Sequence, residues 1–340
     1  MATQPGSDRR PPSRRADGAR RRFFISLLIT AVLLEGGLRL LMGNDAAPEL
    51  VKRSRDPDVC VEPILGADGV YTGRLEKLPR TNIAVDGRGA RKREGLAPTN
   101  ALRIVTVGDA WTFGLGVEAG QTWGAVAEAA LRHRRMRVEV VNMAVPWQAT
   151  PQQVAWLARS AAELDPDVVL LGVSPDDLTP RDSWCVDGQR LNTPGRWLTR
   201  RLRIARIASA LVQRLGPPSL PAAAQTAAGS PDERFRVAVE RFDGLTRTEG
   251  FLGAVVLLTD REAFSEVADC PGCSAAHDLL EEGSARRIDL TPAYRALKAD
   301  PNGLLPGHEG TPSVVGHEFL GRQLADALLD WDELRARLGP

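Results

Sequence analysis

Residues with chemical potential gather at four places in this 340-residue sequence, and the first is the stretch RIVTVGDAWTFGLGV, Arg103 to Val117. An apolar, β-branched run (Ile104, Val105, Val107) breaks at Gly108-Asp109 and meets a segment rich in glycine and aromatics. That is the pattern of a buried strand ending in a tight turn. A turn of this kind can present a reactive hydroxyl at its tip, where this chain has the methyl group of Ala110. The other three places are Asn142 to Gln148, Ser174 to Leu178, and the segment before the last helix with His308, Glu309 and Thr311.

Three chemistries are open to these residues. The carboxylates Asp109, Asp176, Asp177 and Glu309 could bind a divalent cation or activate water. The reading preferred here is plainer: Asp109 and Asp177 bond the backbones of their turns, Asp176 and Glu309 are solvated, and no metal or cofactor is expected. Ser174 and Ser183 are nearby hydroxyls, but neither sits on a recognisable elbow beside a base. Trp111, Trp147 and Trp184 fall at predicted strand ends, where their faces suit sugar rings. A cleft filled by its own side chains, above all Trp147, is the preferred alternative.

The elements that must position these residues follow from hydrophobic periodicity. Short apolar runs (RIVTV, VEVVNM, DVVLLGV, GAVVLL, RRIDL) alternate with helical-period segments at Trp123 to Arg135, Pro151 to Leu164, Trp197 to Leu215 and Val314 to about Leu338. Such alternation predicts an α/β fold with a doubly wound parallel sheet, whose ligands bind beyond the carboxyl ends of the strands. Gly216 to Pro231 (GPPSLPAAAQTAAGSP) is low-complexity and predicts a flexible loop.

Lys and Arg number 44 against 43 Asp and Glu, which argues against nucleic acid as a partner. The charge is uneven, because residues 1–22 are arginine-rich and read as a disordered basic tail. Phe23 to Met42 is a run of twenty residues, interrupted only by Glu35 and Arg39 at i,i+4 spacing. The expectation is an uncleaved transmembrane anchor over 23–43, with a cytoplasmic N-terminus and the main domain outside. A cleaved signal peptide is the alternative, and Arg20-Arg21-Arg22-Phe23-Phe24 is loosely similar to a twin-arginine export signal. Residues 44–98, rich in Pro, Gly, Asp and Arg, read as an extended lead-in. Four cysteines suit an exported domain: a local disulfide at Cys270/Cys273 is expected, with Cys60 and Cys185 as the remaining pair.

At all four places the sequence resembles the SGNH hydrolases, the GDSL esterase/lipase superfamily. The blocks run from TNIAVDGRGARKREG through GDAWTFGLGVEAGQTW, VVNMAVPWQATPQQ, PDVVLLGVSPDDL and RRIDLTPAYRAL to HEGTPSVVGHEFLGRQLADAL. The resemblance implies a flavodoxin-like, three-layer α/β/α domain over 99–338. It also implies that the motif letters are replaced: Ala110 at the serine nucleophile, Trp147 at the oxyanion-hole glycine, Asp176 at the asparagine, and Glu309 and Thr311 at the aspartate and histidine. His308 could serve as base in a shifted register, while His317 opens the last helix in a packing or capping role. The implied protein is catalytically degenerate, a binding or assembly module at cell-surface polysaccharide or an envelope protein. An active ester hydrolase or O-acyltransferase of carbohydrate-deacetylase type with relocated groups is the alternative, and a redox module at Cys270/Cys273 is a third.

Overall fold

The computed structural model describes residues 14–42, 50–72, 80–95, 97–174, 177, 231–258, 285–293 and 311–338. The chain divides into two compact units, one holding residues 1–45 and 194–220 and the other 46–193 and 221–340.

In the first unit the described element is helix α1, Arg14–Met42. It begins inside the segment expected to be a disordered tail, so the last arginines of that segment are helical. Among the described residues no helix is long and apolar enough to cross a membrane, and the expected transmembrane anchor is therefore not supported.

The second unit opens with strands β1 (Val51–Arg53) and β2 (Val61–Pro63), paired antiparallel, then β3 (Asp68–Thr72) and β4 (Arg80–Ala84), also antiparallel. The described part of the expected extended lead-in, 50–72 and 80–95, is folded into the unit: Leu50, Val51, Val59, Val61, Ile83 and Ala90 belong to one buried cluster with strand residues of the main sheet. Composition hid this because the strands are short and some carry Pro, Asp and Gly themselves, as Pro63 in β2 and Asp68 and Gly69 in β3.

The main sheet comprises β5 (Leu102–Val107), β6 (Val138–Asn142), β7 (Val168–Val173), β8 (Leu252–Leu257) and β9 (Arg286–Asp289). All pairs are parallel and the spatial order is β6-β5-β7-β8-β9. This is the flavodoxin-like order, with its switch point between β5 and β7. Every residue of β7 (VVLLGV) is buried, as a strand covered on both faces must be. Helices α3 (Trp123–His133) and α6 (Val314–Leu329) pack together and share one buried cluster; α4 (Thr150–Leu164) and α5 (Pro231–Glu249) pair and share the other.

Two departures concern helices. The segment expected as one helix to about Leu338 breaks at Asp330, the C-cap of α6, and resumes as α7 (Asp332–Leu338). Helix α5 was not anticipated, although Phe235, Ala238, Val239 and Phe242 carry its i, i+3, i+4, i+7 apolar face into the core. The expected helix at 197–215 and the loop at 216–230 lie outside the described residues.

Candidate functional site

Strand β5 ends at Val107, and the chain turns through Gly108-Asp109 into a one-turn helix, α2 (Ala110–Phe113). Asp109 is its N-cap, its carboxylate accepting the backbone N–H of Trp111 at 2.9 Å. Gly114 closes the turn in the left-handed region at φ 81°. The turn lies hard against the strand ends. A Cβ at Gly108 would stand 2.2 Å from Thr112 Oγ1, and one at Gly172, near the end of β7, would stand 2.3 Å from it. Glycine at both positions is what lets the elbow sit at the switch point.

The elbow is pinned from behind by Arg91. Its guanidinium donates to the carbonyls of Phe113 and Gly114, each at 2.5 Å, and to that of Val117, while stacking 5.0 Å from the Phe113 ring centre. Burial lowers the Arg91 pKa to about 10, with Glu118 opposing the shift, so the group stays charged near neutrality. Asn142, at the end of β6, braces the same turn: Nδ2 donates to Thr112 O at 2.8 Å and Oδ1 accepts from Ala144 N at 3.1 Å. Both ends of its amide are engaged within the fold.

Across the switch point Ser174 links the two strand ends. Its hydroxyl donates to Asp109 Oδ2 at 3.0 Å, and its backbone N–H donates to Asp177 Oδ2 at 2.9 Å. Gln153 on α4 extends the network, its Nε2 reaching Asp177 Oδ1 at 3.3 Å and Gln148 O at 3.1 Å. Gln148 in turn donates to Val61 O at 2.7 Å, tying the site to β2. Ser174 is 1% exposed, which closes its hydroxyl to any substrate.

Ala110 is half-buried and packs on the core with Trp147. Trp147 adopts φ 69°, a backbone conformation that suits glycine and that an L-residue adopts only at some cost. Trp111, a candidate sugar-binding aromatic, is 2% exposed and belongs to the core cluster shared with α3 and α6, so its face is closed to a ligand.

Before α6, Thr311 is buried with Oγ1 lacking a hydrogen-bond partner. His317, one turn into α6, is fully buried and its Nδ1 accepts the backbone N–H of Trp123 at 3.1 Å. That bond fixes the neutral tautomer with the proton on Nε2. Burial first and the Arg91 charge second push its pKa down to about 3. It is a positional bolt between α3 and α6, with no proton to trade near neutrality.

The structure thus brings Asp109, Asn142, Ser174 and Asp177 together, and Ala110 and Trp147 pack on the same core cluster. Asp176, Ser183, Trp184, Cys185, Cys270, Cys273, His308 and Glu309 lie outside the described residues. Cys60 is disulfide-bonded, and no described cysteine is free. No group of three or more His, Cys, Asp or Glu able to hold a metal occurs among the described residues. Sequence reasoning did not single out Arg91, Thr112 or Gln153. Nothing in their spacing marks them, because their partners are backbone carbonyls and strand ends brought near only by folding.

No family model matches this sequence, and no curated protein matches it. Solved structures similar to the chain include esterases and lipases. One, from Desulfitobacterium hafniense and assigned to the lipolytic G-D-S-L family, is 15% identical with a TM-score of 0.42, covering 67% of this chain and 99% of its own. A family 3 carbohydrate esterase of Clostridium thermocellum is 13% identical with a TM-score of 0.44, covering 71% of this chain and 100% of its own. A lipase/acylhydrolase of Enterococcus faecalis is 14% identical with a TM-score of 0.42, over 66% and 94%.

Proposed function

We propose that this chain is an SGNH-hydrolase-like module without esterase activity, which works at the cell envelope by binding or assembly with a surface polysaccharide or an envelope protein. One observation carries the proposal. The elbow at the switch point is fully built, with Asp109 capping it and Arg91 and Asn142 holding it, yet its tip is Ala110. A methyl group supplies neither a proton to a base nor a lone pair to an acyl carbon. The neighbouring hydroxyl of Ser174 is no replacement, since it donates a hydrogen bond to Asp109 and is shut away from solvent. Trp147, packed on the same core cluster as Ala110, puts an indole where the resemblance has the glycine of an oxyanion hole.

The test is turnover of short-chain acyl nitrophenyl esters by the full chain, together with labelling by a serine-reactive fluorophosphonate. We expect no turnover above the uncatalysed rate and no label on the folded protein. Loss of a triad nucleophile costs on the order of a millionfold in turnover. Turnover that disappears with a single substitution, or a labelled serine, would install the opposing reading of a hydrolase or acyltransferase with relocated groups.

A further inference from the structure

Beside β6, the edge strand of the main sheet, residues 86–95 and helix α3 line a cleft of about 470 Å³. The outward backbone groups of this edge are met from within the chain. Val140 N–H donates to Glu128 Oε2 at 2.6 Å, Val138 O accepts from Arg132 Nε at 2.9 Å, and Asn142 O accepts from Arg91 N–H at 2.8 Å. Those positions are closed to an added strand, which leaves an incoming ligand the side chains of the cleft. Its volume falls within the range of small-molecule sites, about 300–1,000 Å³.

The charges around the cleft do not balance. Asp86 pairs with Arg88 and Glu139 with Arg103, each at 3.3 Å, while Glu128, 2% exposed, holds both Arg93 at 2.5 Å and Arg132 at 2.9 Å. One guanidinium charge of that trio is left over. Lys92 is exposed, and its side chain has no partner among the described residues. Arg91 is 4% exposed; its guanidinium meets only the carbonyls of Phe113, Gly114 and Val117, and its Nε–H has no partner. Against these three positive charges stands Glu94 alone, so the lining carries an excess of two. A buried cation balanced only by dipoles carries a desolvation penalty that a nearby anion offsets. We infer that this cleft binds a small ligand through one oxyanion group, a carboxylate or a phosphate, with Lys92 and Arg93 as its donors and Arg91 as the buried counter-charge. Arg93 is held by Glu128 before the ligand arrives, so less side-chain freedom is lost on binding. The site goes beyond the envelope reading and does not depend on what the elbow does.

The experiment is isothermal titration calorimetry of the full chain in a nonionic detergent, with sodium glucuronate, glucose 6-phosphate and glucose as probes. Saturable binding is expected for at least one of the two anions and not for glucose, and it should weaken as sodium chloride is raised. Lys92→Gln should lower the affinity about tenfold, the size of one lost charged hydrogen bond, and Lys92→Glu should abolish binding. Arg236→Gln, at an exposed arginine of α5, should leave the affinity unchanged. Binding of glucuronate alone would support the site and assign a sugar carboxylate; binding of glucose 6-phosphate alone would support it and assign a phosphate. Equal binding of glucose and the anions, or no binding of either anion, would overturn the proposal. So would an unchanged affinity in Lys92→Glu, which would put the anion elsewhere on the chain. Circular dichroism melts of the variants should superimpose on the wild type, because the Lys92 side chain is exposed and bonds nothing described, so lost binding is not lost folding. Ester turnover is read separately, and a cleft that fails leaves the reading of the elbow standing.

Discussion

At the scale of single residues, His317 is a group beside the site whose protonation can be measured. Its folded pKa is about 3 against an ordinary 6.5, because burial penalises the imidazolium and the Arg91 charge adds to that penalty. Between those two values the unfolded chain holds a proton on this group that the folded chain does not, so protons favour unfolding. Its contribution to stability is complete above about pH 6.5 and is lost as the pH falls toward 3, at up to about 1.4 kcal/mol per pH unit. His317→Asn keeps an acceptor for Trp123 N–H but cannot be protonated. The variant should be less stable than the wild type at pH 7, and its Tm should fall more shallowly from pH 6.5 to 5, where few carboxylates titrate. Parallel Tm curves for the two proteins would show that His317 already titrates normally. Much of the site was legible in residue types. Ala110 at the tip and Asp109 at the cap could be read from local context, because a turn and a strand end are short-range features. The roles of Asn142 and Ser174 were not, since a side chain between strands far apart in sequence declares its partner only in the fold.

At the scale of elements the elbow depends on the close approach of α2 to the ends of β5 and β7. Thr112 Oγ1 fills the space over both Gly108 and Gly172, and it has no hydrogen-bond partner, so its removal should cost little. The two glycines differ in what else an added methyl would meet. At Gly172 the remaining contacts begin at 3.4 Å, whereas at Gly108 the Thr112 Cβ itself is 2.6 Å away. Gly172→Ala alone should destabilise by about 1–3 kcal/mol through overpacking. Adding Thr112→Ala should restore most of that loss, because the offending oxygen has gone. Gly108→Ala should cost as much or more and should not be rescued by Thr112→Ala. Denaturant midpoints of the two double-mutant cycles measure this, and equal rescue in both would contradict the geometry. The five strands of the main sheet were legible as apolar runs, and the order β6-β5-β7-β8-β9 is the one the resemblance implied. Helix α5 was overlooked although its apolar period is plain, because the low-complexity stretch before it drew the reading toward a loop. The break at Asp330 was invisible because Trp331 and Leu334 stay buried across it and keep the apolar pattern running.

At the scale of the whole molecule, residues 50–91 are part of the domain rather than a tether to it. Leu50, Val51, Val59, Val61 and Ile83 are at most 4% exposed and complete the cluster that covers β5, β6 and β7 from the side of α4. Removing them would return their buried partners to water, at about 1.5–3 kcal/mol for each large side chain. The five together amount to roughly 7–15 kcal/mol, comparable with the 5–15 kcal/mol by which a domain is stable at all. Arg91 compounds the loss, since three carbonyls of the elbow and the loop after it would lose their donor. A fragment of residues 46–340 should therefore unfold cooperatively, whereas one of residues 99–340, cut where a composition-based boundary would fall, should lack a sharp thermal transition and bind a hydrophobic dye. Circular dichroism melts of the two fragments decide it. A cooperative transition in the shorter fragment within a few degrees of the longer would mean that the strands before residue 98 only decorate a self-sufficient sheet. The elbow would then have to be held by Asn142 and Ser174 without its buried arginine.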